Sequence, residues 1–205
     1  MTNNELLEIG TNYLRDGKFK EALEIYLKAS QNGSYLATYN VACMYYFGDG
    51  VEKDLNKALE YYILAGSQGD KEAMSHAGMV ALELGKDSVA REQLEKSAKL
   101  NSLAGLYNYG MFLIKNKEDG LDYIFKACEL GNGIAMNTIG EFYENGINLE
   151  KDLNKAFTFY KKSADLRVNQ GEANLARCYK EGIGVSKDLE LAEKYLELSR
   201  IPYED

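Results

Sequence analysis

Nearly the same eight residues occur three times in this chain: Val51-Glu52-Lys53-Asp54-Leu55-Asn56-Lys57-Ala58, then Leu149-Glu150-Lys151-Asp152-Leu153-Asn154-Lys155-Ala156, then Val185-Ser186-Lys187-Asp188-Leu189-Glu190-Leu191-Ala192. A string that returns in register marks a repeat architecture, in which each unit buries its apolar face only against its neighbours. Anchored on the closing alanine, a small residue recurs at Ala22, Ala58, Ala90, Gly120, Ala156 and Ala192, in steps of 36, 32, 30, 36 and 36 residues. A second small series runs Gly10, Ala42, Gly78, Gly110, Gly140 and Ala176, and a third runs Ala29, Ala65, Ser97, Ala127, Ser163 and Ser199. Six repeats therefore fill the chain, at about 3–31, 34–68, 70–99, 102–130, 133–167 and 169–200, within one repeat domain spanning 1–205.

The length variation sits in one place. From the third series to the small residue that opens the next repeat the spacing is always eight, whereas the gap from the second series to the first is 12, 16, 12, 10, 16 and 16. A fixed joint between units and a variable loop within them is what stacked helix pairs require. Apolar and small residues at i, i+3, i+4 and i+7 predict two helices of about three turns in each repeat. In the second copy Val41, Ala42 and Tyr45 form the stripe of the first helix, and Leu55, Ala58, Leu59 and Tyr62 that of the second. Asp54, Asp152 and Asp188 stand at N-cap positions, and Thr2 with Glu5 suits a capping box. The glycines of Gly48-Asp49-Gly50, Asn145-Gly146 and Gly182-Ile183-Gly184 suit the positive φ that ends the preceding helix. Gly120, in place of the helix alanine, is expected to weaken its helix by roughly 1 kcal/mol. The last helix carries Leu189, Tyr195, Leu196 and Leu198, more apolar surface than one side needs, so either the tail Ile201-Pro202-Tyr203-Glu204-Asp205 covers it or the end is a contact surface.

The pattern Asn40-Val41-Ala42-x-x-Tyr45-x-x-Gly48-x-Gly50-Val51-x-Lys53-Asp54-x-x-Lys57-Ala58-x-x-Tyr61-Tyr62 resembles a Sel1-like repeat, and residues 171–199 match nearly as well. The fifth copy departs at Asn148, where the second loop glycine belongs. The first, third and fourth copies have the shorter loop and resemble tetratricopeptide repeats. The resemblance implies an all-α fold, a right-handed α-α superhelix of about six helix pairs whose first helices line a concave groove.

Composition narrows the functions. A net charge of −8, with no run of basic residues, disfavours nucleic acid and favours a basic protein or peptide as encounter partner. There is no apolar stretch long enough to span a membrane. The start has no secretion-signal pattern. Cys43, Cys128 and Cys178 lack the paired cysteines that some secreted Sel1-like proteins carry in each repeat, so a cytoplasmic location is expected. With one histidine, His76, and no HExxH, CxxC, P-loop, GxSxG or SxxK string, neither a catalytic centre nor a metal or cofactor site is expected.

Binding is what remains. The groove places Glu8, Asn40, His76, Asn108, Thr138 and Asn174 two positions before the small residue, with Leu7, Tyr39, Ser75, Tyr107, Asn137 and Ala173 one position earlier. Amides there can donate to and accept from a peptide backbone, and tyrosines supply flat contact area; alternatively, the amides bond to the neighbouring repeat. The candidate partner-binding residues are Tyr39, Asn40, Tyr46, His76, Tyr107, Asn108 and Asn174. Related tetratricopeptide grooves clamp a peptide carboxylate with basic residues, but Leu36, Ala104 and Gln170 stand at those places here. The resemblance implies a non-enzymatic protein-interaction module. It brings two alternatives: a bacterial immunity protein that neutralises a cognate toxin, and, remotely, a hydrolase of cell-wall or β-lactam substrates.

Overall fold

The computed structural model describes residues 1–201. Among them are twelve α-helices and no strand: α1 (Asn3–Arg15), α2 (Phe19–Gln31), α3 (Tyr35–Phe47), α4 (Leu55–Ser67), α5 (Lys71–Glu83), α6 (Asp87–Lys99), α7 (Leu103–Lys115), α8 (Leu121–Glu129), α9 (Gly133–Asn145), α10 (Leu153–Asp165), α11 (Asn169–Glu181) and α12 (Leu189–Leu198). They gather into two compact units, Met1–Tyr109 and Gly110–Asp205, divided within α7. In the first unit α1/α2, α3/α4 and α5/α6 are antiparallel pairs, with α2 packed on α3 and α4 on α5. In the second, α9/α10 and α11/α12 are pairs and α10 packs on α11.

The small residues let the helices of a pair approach. The second-series residue of the first helix faces a large side chain four places after the first-series residue of the second helix. A Cβ added at Gly10 would stand 2.5 Å from the Tyr26 ring, at Gly78 2.5 Å from Leu94, and at Gly140 2.7 Å from Tyr160. Tyr26, Leu94 and Tyr160 are each at most 1% exposed. The third series works differently at two of its three serines. Ser97 donates to the Lys71 carbonyl at 2.6 Å and Ser163 to the Gly133 carbonyl at 2.8 Å, tying the second helix of a repeat to the start of its first.

Helix ends follow the sequence closely. Thr2 and Glu5 form the reciprocal capping box of α1, and the carboxylates of Asp54, Asp152 and Asp188 accept from amides in the first turns of α4, α10 and α12. Gly48, Gly146 and Gly182 close α3, α9 and α11 in the left-handed conformation. Asn148 adopts φ +59° at the place where Gly50 and Gly184 stand in the other long loops. Those two glycines lie against the backbone at the starts of α2 and α10, at Phe19 and Leu153. The corresponding first turn is missing from α8, which begins only at Leu121.

Gly120 departs from expectation. It is the residue before α8 rather than a member of the helix, so it imposes no helix-interior penalty. A Cβ there would strike the Gly110 carbonyl. Glycine answers a backbone contact between α7 and the start of α8, and the helix is shortened to nine residues instead. Of the tail, residues 202–205 and any cover they provide lie outside the described residues; Leu189 and Leu196 of α12 are 70% and 42% exposed.

Candidate functional site: the first-helix face of the N-terminal unit

Six of the seven candidate residues lie in the first unit and Asn174 lies in the second. In the first, Tyr39 and His76 meet. Tyr39 Oη is 3.2 Å from His76 Nε2, the donor being set by the imidazole tautomer. The His76 ring stacks on Tyr62, with centroids 5.4 Å apart and planes at 19°, and Tyr39 meets both rings edge-on. Beneath them Cys43 Sγ lies 3.3 Å from the Tyr62 hydroxyl. Burial raises the pKa values of Tyr39, Tyr62 and Cys43, and partial desolvation of the still exposed His76 ring lowers its own. The cluster is therefore neutral near pH 7, and the Cys43 thiol is held away from its nucleophilic form.

Two turns along α3, the Tyr46 hydroxyl donates to Glu83 Oε2 of α5 at 3.2 Å. The Lys53 ammonium lies 5.1 Å from the centre of the Tyr46 ring, and Phe47 meets that ring edge-on. Helix α3 contains no charged residue along its 13 positions. Its outer side leaves Tyr35, Leu36 and Phe47 exposed at 45%, 47% and 66%, and Met79 on α5 adds 44%. The exposed Phe47 and Met79 were not among the sequence candidates. The signal available for Phe47 was the uncharged run from Tyr35 to Phe47; Met79, on α5, had none.

The asparagines divide. Asn108 Nδ2 donates to Ser75 Oγ at 3.0 Å, and Asn174 Nδ2 donates to Asn137 Oδ1 at 2.9 Å. Both bonds run from the residue two before the small position to the residue three before it in the preceding repeat. The Tyr39–His76 contact has the same register. By that rule the partner of Asn40 is Leu7, which has no polar group. Asn40 accordingly makes no side-chain hydrogen bond among the described residues and stays half-buried on the open side of α3. Asn108 and Asn174 are engaged in joining repeats; Tyr107, half-buried on α7, is also engaged in an interaction.

In the second unit the corresponding face is ionic. Arg177 of α11 donates from two guanidinium nitrogens to the two oxygens of Glu144 on α9 at 2.7 and 2.6 Å, and the Tyr160 hydroxyl donates to Glu144 Oε2 at 2.6 Å. The Arg177 hydrogen bonds lower the Glu144 pKa. Among the described residues no cluster of histidine, cysteine or carboxylate side chains could hold a metal ion.

The Sel1 repeat model matches residues 5–34, 36–70, 100–132, 133–168 and 170–199, well over half of the sequence. The chain belongs to the Sel1 repeat family. The unmatched stretch between the second and third matches holds α5 and α6, so this Sel1 repeat protein has a helix pair there too. A Sel1 repeat protein from Oxalobacter formigenes superposes with a TM-score of 0.81 at 23% identity, over 94% of this chain and 83% of that one. A protective antigen of uropathogenic Escherichia coli with an SLR fold gives 0.76 at 24%, over 96% and 45%. An immunity protein from Pseudomonas aeruginosa gives 0.67 at 24%, over 97% and 85%. These likenesses establish the α-α solenoid fold. No curated protein sequence matches the chain significantly.

Proposed function

We propose that this Sel1 repeat protein is a non-enzymatic, cytoplasmic interaction module that binds a partner protein or peptide across the first-helix face of its N-terminal unit. Asn40 carries the reading. Its amide has no hydrogen-bonding partner among the described residues, on a helix without charge whose outer side exposes aromatic and aliphatic surface. An amide open to solvent can bond both the N–H and the carbonyl of an extended backbone, while Tyr39, Tyr46 and Phe47 supply rigid apolar area beside it. Acidic charge favours a basic partner at encounter. Asn108 and Asn174, taken up by bonds between repeats, are supporting groups. Their neighbour Tyr107 remains a candidate contact.

The test is isothermal titration of a partner captured from the native host against wild type, Asn40→Ala and Asn108→Ala. Asn40→Ala should weaken binding about five- to tenfold, the worth of one or two hydrogen bonds, with unchanged thermal stability. Equal affinity for wild type and Asn40→Ala removes this face from consideration.

A second reading, an immunity protein that neutralises a toxin, is favoured by the structural likeness to two immunity proteins from Pseudomonas aeruginosa. Co-expression with the product of the adjacent gene decides it: rescue from toxicity supports the reading, and a harmless neighbour counts against it.

A further inference from the structure

A separate open surface lies in the second unit, between α11 and α12. A cleft of about 470 Å³ opens there, lined by Ala173, Ala176, Lys180 and the Glu144-bound Arg177 of α11 and by Leu189 and Leu196 of α12, among others. The repeat register identifies what these positions do. Ala173 corresponds to Asn137, Ala176 to Gly140, Lys180 to Glu144, Leu189 to Leu153 and Leu196 to Tyr160. In the fifth repeat those residues receive the sixth. Asn137 accepts from Asn174, Glu144 accepts from Arg177, and the Leu153 backbone is covered by the loop at Gly184. The cleft is thus the inter-repeat joint presented once more, and no described element fills it.

Its chemistry is altered at two points. Where the fifth repeat offers the amide of Asn137, the cleft offers the methyl of Ala173. Where it offers the Glu144 carboxylate to an incoming arginine, the cleft offers the exposed ammonium of Lys180, which has no ion pair among the described residues. We infer that the cleft is a docking site for an α-helix of a partner protein, seated as α11 sits on α9 and α10, with a carboxylate in the place of Arg177. The complementary helix has an apolar residue in the place of Asn174, to lie on Ala173, and its acidic side chain pairs with Lys180. Glu181 and Glu193, which also line the cleft, accept basic side chains of the same helix.

A second copy of this chain is a poor fit. Its N-terminal helix α1 would bring Glu8 onto Ala173 and Thr11 onto Lys180, burying a carboxylate against a methyl group and leaving the ammonium unanswered.

The probe is a fluorescein-labelled peptide with the α11 sequence, residues 169–181, carrying Asn174→Ala and Arg177→Glu. A hydrocarbon staple on its solvent side holds it helical, since a free helix of this length is marginal in water. Fluorescence anisotropy should show saturable binding to the full chain. Binding should be weakened about tenfold by Lys180→Glu and restored when the peptide instead keeps arginine at 177, a charge swap that structural damage cannot mimic. Lys180 is exposed, so circular dichroism and thermal melting of Lys180→Glu should match wild type. Equal binding to wild type and Lys180→Glu overturns the proposal, as does an absence of binding to both. Binding that appears only after residues 202–205 are removed assigns the cleft to the chain's own tail. A wild-type dimer that Lys180→Glu dissociates in sedimentation assigns it to a second copy. Either result overturns a partner helix as occupant.

Discussion

Asn174 donates to Oδ1 of Asn137, 37 residues earlier, at 2.9 Å, and both side chains are at least nine-tenths buried. Removing the donor strands an amide oxygen in the joint between the fifth and sixth repeats. Asn174→Ala should therefore lower stability by about 1–2 kcal/mol, read as a shift of the urea midpoint. Asn40→Ala, at the same repeat position but facing Leu7, should stay within about 0.5 kcal/mol of wild type. Equal losses at the two sites would mean that register does not decide which asparagine is structural.

The fold was legible because its constraints are local and periodic. Asp54, Asp152 and Asp188 announce helix starts by their own chemistry. The spacing of eight from Ala29 to Ala37, or Ser163 to Gly171, is set by one rigid joint. Gly120 misled because the first-series position is inside the helix in five repeats, and only the closeness of the Gly110 backbone shows why α8 begins after it. The face was half-legible. The row Asn40, Asn108 and Asn174 could be read from the sequence, but whether each amide faces a partner or a neighbouring repeat depends on the residue three before the previous small position. That residue is Leu7, Ser75 or Asn137, and recognising the pairing requires knowing which side chains meet between helices.

Close approach in the fifth repeat sets a second expectation. Gly140→Ala places a methyl group 2.7 Å from the Tyr160 ring, which is fully buried and held by its hydroxyl on Glu144. Alanine's better helix propensity gains about 1 kcal/mol. Overpacking a pinned ring costs about 1–3 kcal/mol and should offset that gain or exceed it. The melting temperature of Gly140→Ala should not rise and should fall if the ring cannot shift. In the second repeat Ala42 already holds the equivalent position, and the Tyr62 hydroxyl there meets the soft Cys43 thiol. A clear rise in the melting temperature of Gly140→Ala would show that Tyr160 is free to move.

The Glu144–Arg177 pair predicts an acid limb in the stability profile. The Arg177 hydrogen bonds hold the Glu144 carboxyl below its ordinary value of 4.5 in the folded chain. The unfolded chain takes up its proton first as pH falls. The contribution is thus present above about pH 4.5 and lost as pH falls through the folded-state value. Glu144→Gln should cost about 1–3 kcal/mol at pH 7, discounted toward the lower end because the Arg177 side chain is 36% exposed, and should flatten that limb. An unchanged acid slope in chemical denaturation would place the pair's contribution elsewhere.

His76 titrates in a different window and with a different cause. Its ring stacks on Tyr62 of α4 and meets Tyr39 of α3, and the partial loss of water on that side disfavours the imidazolium although the residue keeps an exposed edge, while the carboxylates of Glu72 and Asp70 partly counter that cost. The folded-state pKa consequently lies below 6.5. Between the two values the unfolded chain holds more protons, so stability is full above about pH 6.5 and declines as pH falls through the folded-state value. Titration of the His76 ring protons by NMR should give a midpoint below that of a free histidine, and His76→Gln should remove the corresponding step from the stability profile. The same proton sits beside Tyr39 on the proposed binding face. Partner affinity should therefore change over the pH range in which the ring titrates in wild type and be level there in His76→Gln. A midpoint above 6.5 would mean that the carboxylates outweigh desolvation, and the acid-side loss of stability would then reverse sign.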